Sequence, residues 1–592
     1  MSSKLLEMED VVIEAEIDGQ WRPIVNRLSL ALEEGEIVGL IGESGAGKST
    51  LGLAALGYTK PGCRIVSGSI KLDGLELTTL PEKQLRQLRG NRVSYVAQSA
   101  AAAFNPAHRL LEQFSESPVQ HGKMTRTEAA LKGRSLYRQL DLPDPETIGD
   151  RFPHQVSGGQ LQRAMTAMAM GCEPEIVVFD EPTTALDVTT QIEVLAAIKE
   201  AVRAKGVAAI YITHDLAVVA QLADRIMVLR YGDLVEEGEA RRLLAHPTED
   251  YTKRLLSVRG LREDKTLQQV ESRILAVDNV TARYLSATEY VLEDISIGVE
   301  QGKTVAVVGE SGSGKSTLAR VITGLLPAQS GSVSFKDKSL SAALADRSKD
   351  ELRSIQMIYQ MPDVALNPRQ RVRDIIGRPL SFYLGLSGKE RERRIIELLE
   401  QIELSDRYID RFPGELSGGE KQRICIARAL AAEPDLIICD EVTSALDTIV
   451  AQAILNLLQR LQSELRLTYL FISHDLDTVA SIADKVVVFY AGRIAEQGPK
   501  SAVFEPPFHP YTRLLLSSVP EMRQNWLEET LSTREAQAGI AREVKITELG
   551  CPFNERCPAV IPDICVSERP PVQTAASGHT FACQHSPKEL AS

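Results

Sequence analysis

LIGESGAGKSTL, from Leu40 to Leu51, and VVGESGSGKSTL, from Val307 to Leu318, decide the fold. Each joins a short β-rich run, Glu36–Ile41 or Thr304–Val308, to a stretch that reads as helix after Lys48 or Lys315. Both fit one loop pattern: Gly42-x4-Gly47-Lys48-Ser49 and Gly309-x4-Gly314-Lys315-Ser316. The glycines let backbone N–H groups converge on phosphate oxygens. The lysine supplies a point charge at the β- and γ-phosphates, and the serine hydroxyl is placed for Mg²⁺. Ser44, Gly45 and Thr50, with Ser311, Gly312 and Thr317, complete the two loops and helix starts. The helix that follows adds its positive end. One such loop could be a chance glycine turn; two, each between a strand and a helix, leave little room for that.

The rest of the chain repeats with them. VSGGQLQR from Val156 matches LSGGEKQR from Leu416, IVVFDEPTTALD from Ile176 matches LIICDEVTSALD from Leu436, and YITHDLAVVA from Tyr211 matches FISHDLDTVA from Phe471. These three pairs are all displaced by 260 residues. Two copies of one domain therefore follow each other, 1–259 and 273–520. The polar stretch 260–272, GLREDKTLQQVES, reads as a linker able to span at most roughly 45 Å. Residues 521–592 form a C-terminal extension, helical at first and then rich in cysteine and proline. Apolar runs of four to six residues ending in acids or glycine loops predict α/β domains with mainly parallel, buried sheets.

The repeated polar residues define the candidate chemistry. Asp180-Glu181 and Asp440-Glu441 close apolar strands, where the aspartate can hold Mg²⁺ through water and the glutamate can polarise an attacking water. His214 and His474 each follow the aspartate by 34 residues and are placed as γ-phosphate contacts. Gln98 and Gln360 end the strands VSYVAQ and IQMIYQ and read as sensors of Mg²⁺ and water. Ser157-Gly158-Gly159 and Ser417-Gly418-Gly419 begin long helices. They offer a hydroxyl and N–H groups, suited both to capping and to seating an anion.

Composition narrows the classes. The 592 residues carry a net charge of −13, with 43% hydrophobic and 25% charged residues. That fits folded domains with real cores and argues against general nucleic-acid binding. No apolar run reaches the ~18 to 20 residues of a spanning helix, so a membrane role is expected to be peripheral. The acidic start, MSSKLLEMEDVVIEAEID, argues against an export signal.

These motifs, in this order and twice over residues 8–520, resemble the ABC transporter ATPases. The resemblance implies two tandem P-loop ATPase domains, each with a helical subdomain, binding ATP and Mg²⁺. It implies hydrolysis of ATP with Glu181, His214, Glu441 and His474 as catalytic residues. Ser49, Gln98 and Asp180, and Ser316, Gln360 and Asp440, would hold Mg²⁺. In that family two domains pair head to tail. The first site would then join Lys48, Ser49, Asp180, Glu181 and His214 to Ser417–Gly419, and the second would join Lys315, Ser316, Asp440, Glu441 and His474 to Ser157–Gly159. Ala185-Leu186-Asp187 and Ala445-Leu446-Asp447 match the family's D-loop. The family stacks adenine on an aromatic side chain before the loop. Tyr284 fits in the second copy, whereas Ala15 or Ile17 stands there in the first, leaving Trp21 as the substitute.

Finer features, HPTEDYTKRLLS from His246, PFHPYTRLLLSSVP from Pro507 and GCPFNERCP from Gly550, resemble the ATPases of oligopeptide, dipeptide and nickel importers in a fused form. This implies an energy-coupling subunit at the cytoplasmic face of a bacterial membrane. Its partners would be two permease subunits, docked at the helical segments after Gln98 and Gln360, and through them an external solute-binding protein. Import of a nickel complex and a soluble, translation-factor-like role are the alternatives. The second is disfavoured by a short linker without a basic run. The tail thiols Cys551, Cys557, Cys565 and Cys583 leave three readings: unligated thiols, a [4Fe-4S] cluster as some relatives carry, or zinc on three cysteines plus His585.

Overall fold

A computed structural model of the chain describes residues 4–17, 19–183, 186–257, 272–285, 289–444, 446–537 and 549–590. It divides into two compact units. The first comprises Met1–Val258, Asp447–Ile449 and Pro520–Thr533; the second comprises Arg259–Leu446, Val450–Val519 and Arg534–Ser592. Nearly all of the expected linker, 260–271, lies outside the described residues, as do Ala185 and Ala445.

In the first unit the strand Ile37–Gly42 is buried along its whole length. It lies between Ala208–Ile212 and Arg225–Arg230, parallel to both. The six-stranded sheet continues through Ile176–Asp180 to Val93–Val96 on one side and Asp233–Glu239 on the other. Only the last pairing is antiparallel. A second, antiparallel sheet of four strands is led by Gln20–Glu33 and Lys4–Ile17. Apolar side chains from both faces of the parallel sheet enter separate cores, Phe179 and Tyr211 on one face and Val178 and Ile210 on the other. That two-sided burial explains the unbroken apolar runs in the sequence.

Helices Leu110–Gln120, Arg126–Gln139 and Gly158–Met170 form the helical subdomain, packed around Phe114 and Tyr137. Two of them start on reciprocal capping pairs, Thr125 with Glu128 and Ser157 with Gln160. Each pair satisfies two N–H groups that a helix start leaves open.

The first unit also holds a segment from far along the chain. Trp526 and Leu527 enter its core, 4% and 1% exposed. Burying two such side chains is worth about 1.5–3 kcal/mol each. Gln221 fixes the segment's entry: its amide donates to the carbonyls of Glu521 and Arg523 and accepts from the N–H of Leu527. Lys199 pairs with Glu528. The extension expected over 521–592 is thus divided, its start packed with the first unit and its end with the second.

The second unit repeats the plan with one addition. Its sheet runs Ile355–Ile358, Leu436–Asp440, Thr468–Ile472, Thr304–Val308, Lys485–Tyr490, Arg493–Pro499, Thr580–Ala582 and Val572–Thr574. The last two strands come from the cysteine-rich tail, with Glu496 opposite Phe581. They cover an edge that would otherwise offer unpaired backbone groups. Val372–Leu384, Gly388–Gln401 and Gly418–Leu430 form its helical subdomain.

Candidate functional site

Each unit carries the same constellation where its central strand ends. In the first, Gly42 and Gly47 have φ of 150° and 91°. A Cβ at Gly42 would stand 2.1 Å from the carbonyl oxygen of Leu229, and one at Gly47 would stand 2.7 Å from that of Ile24. Only glycine fits these turns. The loop wraps Lys48, whose Nζ donates to the carbonyls of Gly42 at 2.7 Å and Glu43 at 2.8 Å. Burial lowers the pKa of Lys48, against the pull of Glu181. Lys315 repeats both bonds, to Gly309 at 2.8 Å and Glu310 at 2.7 Å.

Ser49 Oγ donates to Asp180 Oδ1 at 2.8 Å, and Ser316 Oγ to Asp440 Oδ1 at 3.0 Å. Serine and aspartate thus stand together where Mg²⁺ would be held; the ion would neutralise phosphate charge. Burial raises the pKa of Asp440, and its neighbour Glu441 adds to the rise.

The glutamates bridge the other two groups. Glu181 accepts from Gln98 Nε2 at 3.0 Å and faces His214 Nδ1 at 3.3 Å. Glu441 accepts from Gln360 at 2.6 Å and faces His474 Nδ1 at 3.3 Å. Burial works to lower both histidine pKa values; the hydrogen bond and charge of the facing glutamate outweigh it, so both are raised. Glu181 and Glu441 hold φ of 47° and 49°. Their N–H groups donate to Ile212 and Ile472 across the sheet. That left-handed backbone is uncommon outside glycine, and the sheet bond holds it here.

The loop, aspartate, glutamate, glutamine and histidine residues named from the sequence are therefore brought together in each unit. Ser157 and Ser417 cap their helices within their own units, the hydroxyls accepting from Gln160 and Glu420. Gly159 and Gly419 face Thr190 and Val450, where a Cβ would come within 2.2 and 2.6 Å. Tyr284 is partly buried, with its phenol bonded to Thr317 at 3.2 Å and Arg320 at 2.9 Å. The ring of Trp21 is covered by the Arg64 guanidinium at 4.0 Å. Ala15 pairs with Arg22 and Cys63 inside the antiparallel sheet, and Ile17 is exposed. In the first unit Asp447 accepts from the N–H of Ser44 at 3.2 Å.

Four contacts went unread in the sequence. The N–H of Glu43 donates to the phenol of Tyr251 at 3.2 Å, and that of Glu310 to the phenol of Tyr511 at 2.9 Å. Both tyrosines sit in the two late motifs, so the motifs were the available signal. Tyr95 donates to Asp180 Oδ2 at 2.6 Å. Arg556 of the tail grips Glu310.

The eight cysteines are all free thiols, with Cys172, Cys425, Cys439, Cys565 and Cys583 buried. In the tail, burial pushes Cys551 up to about 11 and Cys557 up to about 12, and the charges of the other tail thiols add to the rise. Among the described residues no group of three or more His, Cys, Asp or Glu is arranged to hold a metal ion. His585 Nε2 lies 2.6 Å from the carbonyl of Ala559 instead. As arranged, the tail does not fit a zinc or iron–sulfur centre.

The ABC transporter family model matches the chain twice, over residues 25–184 and 292–444. The chain belongs to the ABC transporter family. The model of the oligopeptide/dipeptide transporter C-terminal region matches residues 495–565. As an ABC ATP-binding protein the chain hydrolyses ATP, and the family's importer ATPases work with membrane permeases. The chain is similar to the Glutathione import ATP-binding protein GsiA of Escherichia coli O157:H7, 37% identical over 561 residues, which are 88% of this chain and 90% of that one. The protein of the same name from Escherichia coli K12 matches with the same identity and coverage. A solved structure, CbiO1 of Clostridium perfringens, part of the cbiONQ ABC transporter complex, is 30% identical over 39% of this chain and 90% of that one, at a TM-score of 0.35. Among the described residues no helix is long and apolar enough to cross a membrane.

Proposed function

We propose that this ABC protein powers the import of peptides or related thiol-containing solutes such as glutathione, from the cytoplasmic face of a membrane. The observation that carries the reading is the presence in each unit of a full Lys–Ser–Asp–Glu–Gln–His set, in a chain whose likeness to GsiA spans both units.

Each loop would bind the triphosphate through its N–H groups and lysine. Glu181 and Glu441 would each take a proton from the attacking water, and Gln98, His214, Gln360 and His474 would keep the carboxylates in place. Catalysis of this kind is mainly positioning and electrostatic stabilisation. Two composite sites complete the proposal. The signature Ser417–Gly419 would close on the nucleotide of the Lys48 loop, and Ser157–Gly159 on that of the Lys315 loop. Loss of the γ-phosphate would release them. Tyr284 would stack on adenine in the second site. The tail thiols carry no step.

The permease contact would lie on the helical subdomains. In the second unit a groove of about 430 Å³ is lined by Leu325, Tyr359, Arg378, Phe382 and Tyr383. Phe382 and nearby Met361 are each 56% exposed. An apolar, open groove of that kind suits a helix from a membrane partner. Co-expression with a permease pair tests the reading. The chain is expected to copurify with the permeases, and its ATP turnover to rise when a glutathione- or peptide-loaded binding protein is added. Copurification with ribosomes or DNA, and turnover indifferent to every loaded binding protein, would contradict it.

A further inference from the structure

The two phosphate loops share the sequence Gly-Glu-Ser-Gly, yet their glutamates are held differently. Glu310 is gripped fork against fork by Arg556. Nη1 meets Oε2 and Nη2 meets Oε1, each at 2.9 Å. Both side chains are about six-sevenths withdrawn from solvent, 14% and 15% exposed. A buried bidentate pair of this sort fixes geometry as well as charge. Burial works to lower the pKa of Arg556, and Glu310 outweighs it and raises the guanidinium above its ordinary range.

Arg556 belongs to the single turn Asn554–Arg556, between Cys551 and Cys557. That turn is seated on aromatic rings. Phe553, 2% exposed, lies 5.2 Å from Tyr490 and 5.5 Å from Tyr511 between centroids. Tyr511 is the residue whose phenol accepts from the N–H of Glu310. The second residue of this loop is therefore held twice, at its backbone by Tyr511 and at its carboxylate by the tail.

The first unit is arranged otherwise. The position of Tyr490 is occupied by Arg230, whose guanidinium lies 4.7 Å over the ring of Tyr251. Arg230 ends the unit's own strand Arg225–Arg230, and the ring it covers is the one whose phenol accepts from the N–H of Glu43. In the second unit that strand ends in tyrosine, and Arg556 brings the charge from 246 residues away. A carboxylate in a loop that receives polyphosphate opposes binding by like-charge repulsion unless a cation answers it.

We propose that Arg556 is a positioning residue of the second nucleotide site: the cysteine-rich tail completes that site by fixing and neutralising Glu310, a requirement the first site does not share. This rests on reading the Lys315 loop as an ATP site.

The test uses the full chain and a fluorescent ADP analogue. K48A leaves the second loop to report, and K315A leaves the first. In the K48A background R556Q is expected to weaken binding about tenfold. R556K should recover part of the loss, and E310Q with R556Q should recover most of it, because no carboxylate remains to be answered. In the K315A background R556Q should change nothing. Unaltered affinity of R556Q in the K48A background, an equal loss in both backgrounds, or no rescue by E310Q would each overturn the proposal. If K315A removes no binding, the reading of the loop falls instead. Should R556Q fail to fold alone, E310Q with R556Q, compared with E310Q alone, carries the test: matching affinities support the proposal, and a further loss in the pair overturns it.

Discussion

The two phosphate loops, alike in nine of ten residues from Gly42 to Leu51 and from Gly309 to Leu318, sit in unlike surroundings. Inside the loop the bonds are the same: lysine to two carbonyls and serine to aspartate. Outside it they part. Asp180 has both oxygens engaged, one by Ser49 and one by Tyr95; the residue at the place of Tyr95 in the second unit is Met357, and Asp440 is bonded by Ser316. The first loop is backed by Arg230 and Tyr251, the second by Tyr490, Tyr511 and a piece of the tail. A motif thus specifies what touches phosphate, while its backing is free to diverge and to make one site depend on parts the other lacks.

The largest effect is expected at the glutamates. E181Q with E441Q is expected to lower ATP turnover on the order of 10²–10⁴-fold while leaving ATP binding, because general-base catalysis supplies an effect of that size. Single variants that differ greatly from each other would show the sites to be unequal. Next is acid stability. Burial depresses His509, in the second unit, to about 4, against the pull of Glu496. A histidine neutral when folded and near 6.5 when unfolded takes up more protons on unfolding. Its contribution is full above pH 6.5 and is lost as pH falls through that window toward 4, on the order of 3 kcal/mol. Urea unfolding at pH 7 and pH 5 should show the second unit weakening more than the first, and H509Q should flatten the difference.

A smaller effect is expected at Tyr95. Y95F removes an O–H donor from a carboxylate, so the first unit should lose about 1.5–3 kcal/mol. The change M357F, at the matching position of the second unit, removes no donor and should cost under about 1.5 kcal/mol by denaturant midpoint. The smallest concerns the helix starts: S157A and S417A should each cost about 1 kcal/mol in their own unit.

What was legible in the sequence is what lies at strand ends. Lys48, Asp180, Gln98 and His214 meet because parallel strands put their ends on one side of the sheet, and the order of motifs reports that directly. Trp526 and Leu527 were not legible as core of the first unit, since a polar helical stretch does not say which distant surface it joins. Thr580–Ala582 extends a sheet, although three residues give no strand signal of their own. Trp21, the substitute aromatic for the first site, carries the Arg64 guanidinium on its ring, a contact between separate strands that spacing does not show. Arg556 read as part of a cysteine motif; its partner lies 246 residues earlier, a pairing that only the folded chain reveals.

The two nucleotide sites are proposed to act as one machine. Turnover of K48A and K315A, each alone in the full chain, tests this most directly. Groups that act as a unit are non-additive, so each variant should fall below about a tenth of wild-type hydrolysis. Two variants that each keep about half would mean independent sites and would contradict it.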